Sequence, residues 1–198
     1  MTNMKKFILL RHGKAEMSGE DHLRNLDEDG KAQSISICEK LELMIKNDFK
    51  IYSSPFVRAI DTIKPLADKL NKNIIHSDEL KEINIGKSED YTKHEIIKKM
   101  WEDETFKVQN GESQMDKFKS MKNFLTEMFS NSSDEDVIIV THGNLLGIIL
   151  KFHFNRNFGF DDWKIMSMPD LYELSLENNK IISFKRNIDN INKIFYIK

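Results

Sequence analysis

Two histidines of this chain stand in nearly the same setting. Arg11-His12-Gly13 follows the apolar run Phe-Ile-Leu-Leu, and Thr141-His142-Gly143 follows Val-Ile-Ile-Val. Arg11 adds a planar guanidinium fork that matches phosphoryl or carboxylate oxygens. A second fork, Arg58, lies in Ser54-Pro55-Phe56-Val57-Arg58 after another short apolar segment. Arginine is scarce: of 30 Lys+Arg, only Arg11, Arg24, Arg58, Arg156 and Arg186 are arginine. A chain that takes most of its positive charge from lysine keeps arginine where the fork is needed. Two arginines and two imidazoles brought together would form a dry, cationic pocket suited to a phosphoryl group.

The elements that must position these residues follow from periodicity. The unbroken apolar runs 7–10 and 137–140, the second within a strand 136–141, read as strands covered on both faces. Residues 30–47 have helical spacing, with Ala32, Ile35, Cys38, Leu41 and Ile45 expected inward. Residues 49–52 form a strand. Ser54 then reads as an N-cap and Pro55 as the first residue of a helix with Val57, Ile60, Ile63, Ala67 and Leu70 on one face. Ile74-Ile75 is a third short strand.

Residues 80–112 are charged and weakly periodic, with one helix near 93–102, and read as a lid-like excursion containing Trp101. Ser113 caps a helix with Met115, Phe118, Met121, Leu125 and Met128 inward. Another helix spans about 145–154, and 171–176 with 181–184 form a hairpin around Asn178-Asn179. Strands alternating with helices predict an α/β fold. The expectation is one domain over 1–198, a three-layer α/β/α arrangement with a mainly parallel central sheet and the hairpin at its edge. Ligands of such sheets bind at the carboxyl ends of the strands, where His12 and His142 fall. Arg58 falls in the first turn of a helix, whose N-terminus attracts anions.

Composition narrows the classes. With 198 residues, 31% charged and 39% hydrophobic, the chain is a solvated globule. A net charge of −2 lacks the basic footprint of a nucleic-acid binder. No apolar run approaches the ~18 residues of a membrane span, and 7–10 is too short for a signal peptide. Cys38 is the only cysteine, so it has no internal disulfide partner and no thiolate metal site. The reading is a cytoplasmic protein with no metal, cofactor, nucleic-acid or membrane partner. His22, His76, His94 and His153 have no strand-end context and read as structural or surface residues.

In this order the residues resemble the histidine phosphatase superfamily, the phosphoglycerate mutase-like enzymes. Arg11-His12-Gly13 looks like its first signature. Leu26 to Gln33, with Gly30 and Gln33, resembles its "L-t-x-x-G-x-x-Q" segment, and Ser53-Ser54-Pro55-x-x-Arg58-Ala59-x-x-Thr62 its second-arginine motif. Leu80-x-Glu82-x-x-x-Gly86-x-x-Glu89 is similar to the segment holding its acidic residue. Asn110-Gly111-Glu112-Ser113 and Thr141-His142-Gly143-Asn144 complete the match. The chain departs from the pattern at Ser18, where many members carry Asn, at Lys14-Ala15, and at Ser88 and Asp90.

The resemblance implies a metal-independent phosphomonoesterase of the histidine acid type, acting through phospho-His12. Arg11, Arg58 and His142, an imidazolium, would hold the phosphoryl oxygens. Glu82 would protonate the leaving oxygen and then activate water. Gly13, Lys14, Ser18, Arg24, Gly143 and Asn144 complete the expected substrate-binding set. The expected partner is a small phosphorylated substrate, and a homodimer is compatible with the chain. Alternatives are mutase-type phosphoryl transfer, a phosphoprotein (phosphohistidine) phosphatase and a non-catalytic phosphate-binding module.

Overall fold

A computed structural model of the chain describes residues 6–45, 47–130, 135–154, 157–177, 180–186 and 194–196. A seven-stranded sheet in the order β3-β2-β4-β1-β5-β6-β7 divides two helical layers. The strands are β1 (Phe7–Arg11), β2 (Phe49–Ser53), β3 (Ile74–His76), β4 (Asp136–Thr141), β5 (Asp170–Glu177), β6 (Lys180–Arg186) and β7 (Ile194–Tyr196). The helices are α1 (Glu28–Met44), α2 (Val57–Lys69), α3 (Lys93–Glu102), α4 (Gln114–Ser130), α5 (Gly143–Ile149) and α6 (Phe160–Lys164). α5 runs on into a π-helical turn, Leu150–Phe154.

β1 to β4 are parallel, and the expected hairpin β5–β6 pairs antiparallel to β1. The sheet is therefore mixed, and β7 adds another antiparallel strand beyond that hairpin. Asn178 and Asn179 lie outside the described residues.

The unbroken apolar runs are explained by alternation between two cores. Phe7, Leu9, Val137 and Ile139 face one layer with Trp101 of α3, Leu125 of α4 and Leu146 of α5. Ile8, Leu10, Ile138 and Val140 face the other, with Leu41 of α1 and Ile63 of α2. A strand with side chains buried on both faces shows no polar position at any period. α3 lies where 93–102 was expected and starts with a capping box of Thr92 and Glu95. Trp101 is buried between Phe158 and Trp163, and among the described residues no helix is long and apolar enough to cross a membrane.

Two expectations need correction. The inward face of α1 is Gly30, Ser34, Ile37, Cys38 and Leu41, whereas Ala32 and Ile35 face solvent. The polar Ser34 is drawn inward by α2. Pro65 lies within that helix and has no N–H for the Asp61 carbonyl, and Ser34 Oγ donates to that carbonyl at 3.0 Å. Ser54 does not cap α2, because Phe56 occupies the N-cap position; the α2 core face runs through Ala59, Ile63, Leu66 and Ala67, with Val57 and Ile60 half-buried.

The end of β1 is braced from the hairpin side. Asp170, opposite Arg11 in the register, forms a two-pronged pair with Arg186, at 3.0 Å to Nε and 2.7 Å to Nη2. Both side chains are at least 97% covered, at 3% and 0% exposure. Asp170→Ala would leave the guanidinium buried without its counter-charge, so a stability loss of about 3–5 kcal/mol is expected in urea denaturation. A loss below about 1 kcal/mol would equate the pair with a surface bridge.

Candidate active site

The register of β1 on β4 places Arg11 opposite Thr141, so His12 and His142 leave adjacent strand ends together. The His12 amide donates to the Thr141 carbonyl at 3.0 Å, and the two rings stand 5.1 Å apart in an edge-to-face arrangement. β2 ends on the same side, and the Ser54 amide donates to the Val140 carbonyl at 3.0 Å. Three strand ends therefore meet at one point of the sheet.

His12 is held in a single tautomer. Nδ1 lies 2.7 Å from the Gly13 carbonyl, which can only accept, so this nitrogen carries the proton. Arg58 Nε donates to Nε2 at 3.1 Å, so Nε2 keeps its lone pair. Burial, and then the charges of Arg58, Arg11 and Arg24, depress the ring's pKa to about 3. His12 is a neutral imidazole with its nucleophilic nitrogen turned to the cationic groups.

The sign of the linked stability follows from that depression. Between about pH 6.5 and about 3 the unfolded ring takes up a proton that the folded ring refuses, so stability falls as pH drops through this window. Nitrogen NMR at pH 5 is expected to show the neutral Nδ1–H form of His12. An imidazolium signal there would remove this account.

Arg58 is 2% exposed, lies over the Phe56 ring at 5.0 Å, and is steered by an acid. Its Nη1 donates to the Asp21 carbonyl and its Nη2 to the Asp21 carboxylate at 3.3 Å. Arg24 Nη2 takes the other carboxylate oxygen at 2.5 Å, while its Nη1 holds the Glu16 carbonyl. Arg11 is fixed through Nη1 to the carbonyls of Met166 and Ser167, both at 3.1 Å, and its buried Nε has no partner among the described residues. Its guanidinium lies across Gly143, where an added Cβ would come within 2.9 Å of Nε, Cζ and Nη2. That close approach accounts for the glycine after His142.

His142 corrects an expectation. It is fully buried, and desolvation, reinforced by the charges of His12, Arg58, Lys117 and Arg11, drives its pKa well below the usual histidine value. The ring is neutral here, not an imidazolium, and the positive charge of the centre belongs to the arginines. Its Nε2 shares a hydrogen bond of 2.8 Å with Ser54 Oγ. Glu82 closes the other side. Oε2 accepts from Asn144 N at 3.1 Å and Asn144 Nδ2 at 3.2 Å, while Oε1 accepts from Leu145 N and Ile83 N, each at 3.0 Å. Thr141 Oγ1 ties this segment to the strand end by donating to the Leu80 carbonyl at 2.9 Å.

This geometry agrees with what comparison finds: the family model of the histidine phosphatase superfamily (branch 1) matches residues 7–187. The chain belongs to that superfamily. Similar relatives include the 2,3-bisphosphoglycerate-dependent phosphoglycerate mutase of Thermoplasma acidophilum, 26% identical over 182 residues, 88% of this chain and 84% of the relative. Phosphoserine phosphatase 1 of Hydrogenobacter thermophilus is 30% identical over 152 residues, 70% of this chain and 71% of the relative. Among solved structures, a mycobacterial glucosyl-3-phosphoglycerate phosphatase with inorganic phosphate superposes with a TM-score of 0.72 at 21% identity, covering 94% of this chain and 97% of that one.

In this superfamily member the structure gathers Arg11, His12, Gly13, Arg58, Glu82, His142, Gly143 and Asn144 around the strand ends, with Arg24 joined through Asp21. Lys14 is not among them: its ammonium goes to Asp29 at 2.5 Å and Asp27 at 3.2 Å, at the start of α1. Ser18 is exposed. The superfamily's glycine-glutamine segment has a local cause. An added Cβ on Gly30 would fall 1.9 Å from the Lys14 carbonyl, and Gln33 Oε1 accepts the Lys14 amide at 3.0 Å. Sequence reasoning missed Asp21, Ser54 as a partner of His142, and the role of Thr62, a residue of the second-arginine motif whose Oγ1 accepts from Gly13 N at 2.9 Å. Ser54 had a signal, since it follows its strand as both histidines follow theirs.

Proposed function

We propose that this chain is a phosphomonoesterase that hydrolyses a small phosphorylated metabolite through phospho-His12, with no metal ion taking part. The observation that carries the reading is the buried, neutral His12, anchored at Nδ1 and offering Nε2 to the arginine cluster. As substrate enters, Arg58 Nε passes from Nε2 to a phosphoryl oxygen and frees the lone pair. Nε2 then bonds to phosphorus as the bond to the ester oxygen breaks. Arg11 and Arg58 neutralise charge growing on the non-bridging oxygens, and His142 donates one N–H. Glu82 takes up the proton that a substrate monoanion brings in, passes it to the leaving oxygen as the ester bond breaks, and then takes one from the water that splits the phosphohistidine. Its Oε2 serves, because one of its two partners is the rotatable Asn144 amide.

The phosphatase relatives support hydrolysis, and the phosphoglycerate mutase relative supports a second reading in which the phosphoenzyme is kept from water. A screen of phosphorylated metabolites and phosphopeptides with EDTA present, read as released phosphate, separates the readings. Release from a small ester is the expected result. Isomerisation of 3-phosphoglycerate without release would establish the mutase, and preferential release from phosphohistidine peptides the protein phosphatase. No release from any ester would overturn the reading.

A further inference from the structure

Arg11 is aimed from outside the site. Its Nη1 is taken up by the Met166 and Ser167 carbonyls, which leaves Nε and Nη2 against Gly143, the residue after His142. The rotation of the guanidinium is therefore set by where residues 166 and 167 hold their carbonyls. Those residues belong to the connection between α6 and β5, and connections are ordinarily less fixed than the elements they join.

Here the connection is clamped from its far side by the buried pair Asp170 and Arg186. The Met166 carbonyl and the Ser167 amide belong to one peptide unit, which is planar and rigid. Its oxygen accepts from Arg11 while its N–H donates to Asp170 Oδ2 at 3.0 Å. Arg186 Nη2 donates to the carbonyl of the preceding peptide, Ile165, at 2.7 Å, and the same guanidinium holds both oxygens of Asp170. Ser167 Oγ closes the turn on the Pro169 carbonyl at 2.8 Å. β5 has its own ladder to β1 and β6, so strand pairing does not require these side chains to reach the turn. A buried ion pair often stabilises no more than apolar residues of the same volume, so stability alone does not account for it.

We propose that Asp170 and Arg186 are positioning residues of the phosphoryl site, which set the rotation of Arg11 through the peptide between Met166 and Ser167. Neither touches substrate. The role rests on the phosphomonoesterase reading, in which Arg11 meets the phosphoryl oxygens, and it adds the device that aims that fork.

Arg186→Lys in the full chain is the first test. It keeps a cation beside Asp170, but one ammonium cannot reproduce the fork that holds both carboxylate oxygens and the Ile165 carbonyl. With p-nitrophenyl phosphate, kcat is expected to fall about 10- to 100-fold, the scale of a misplacement of about 1 Å, with KM moving less than about threefold. Vanadate affinity, measured by calorimetry, should fall with kcat. The deciding comparison repeats the substitution in an Arg11→Ala background. There Arg186 has nothing left to aim, and the further loss in kcat and vanadate affinity should stay under about twofold. An equal loss in both backgrounds would reveal a general loosening of the fold and overturn the proposal. A loss under about threefold with Arg11 present would overturn it as well. If Arg186→Lys does not stay folded at the assay temperature, Asp170→Asn with Arg186→Gln replaces it, since that pair buries no charge. The hydrolase reading fails separately, if the unsubstituted chain releases no phosphate from p-nitrophenyl phosphate; the vanadate comparison then decides the proposal alone.

Discussion

His12→Ala is expected to lower kcat/KM by about 10⁵-fold or more while leaving the fold intact. Removing the nucleophile of a covalent mechanism abolishes its route, as comparable losses elsewhere show. The methyl group forfeits the Gly13 and Arg58 bonds of the ring but leaves β1 paired on both sides. Quenching the unsubstituted protein during turnover of a labelled ester should yield an acid-labile, base-stable phosphoprotein, with the label on His12. The variant should yield none. A His12→Ala protein retaining more than about 1% of turnover would exclude phosphohistidine as the intermediate.

Arg58→Ala is expected to cost about 10²–10³-fold in kcat, the usual penalty for losing a group aimed at transition-state charge. Arg58→Lys should recover little, because an ammonium cannot offer Nε to His12 and two further donors at once. The clean readout is kcat together with affinity for vanadate, which tracks the transition state. Both should fall, and vanadate affinity should fall further than substrate affinity. Since Arg58 is buried, thermal melting must show each variant folded at the assay temperature. A loss under tenfold in either variant would mean that Arg11 alone carries the phosphoryl oxygens.

Sequence reasoning reached His12 and His142 because their signal is local, an apolar run that stops on a chemistry-bearing residue. It reached the fold class from the alternation of such buried apolar strands, β1 and β4 among them, with helices. It missed what depends on contacts between distant segments. The α1 face was misplaced because the residue turned inward is Ser34, drawn by a carbonyl that Pro65 leaves free, and no hydrophobic period records that exchange. Nothing in the local pattern marks Asp21, yet it holds Arg58 and Arg24 together. The charge state of His142 was misjudged because burial, which opposes protonation, is a property of the packed centre. Glu82 was reached through family resemblance, and only the structure shows its oxygens gripping the start of α5.

The position of β1 has a consequence for how the molecule is made. This first strand is central, flanked by β4 and β5, so its Phe-Ile-Leu-Leu core waits for partners more than a hundred residues downstream. During synthesis it is an unpaired, fully apolar edge until residues 136–141 and 170–174 have emerged. The long-range closure is slow and exposes the nascent chain to aggregation and to chaperones. The same closure brings His12 beside His142, so enzymatic competence and release from that hazard arrive in one step. Recovered activity is therefore a direct clock for refolding of the central sheet.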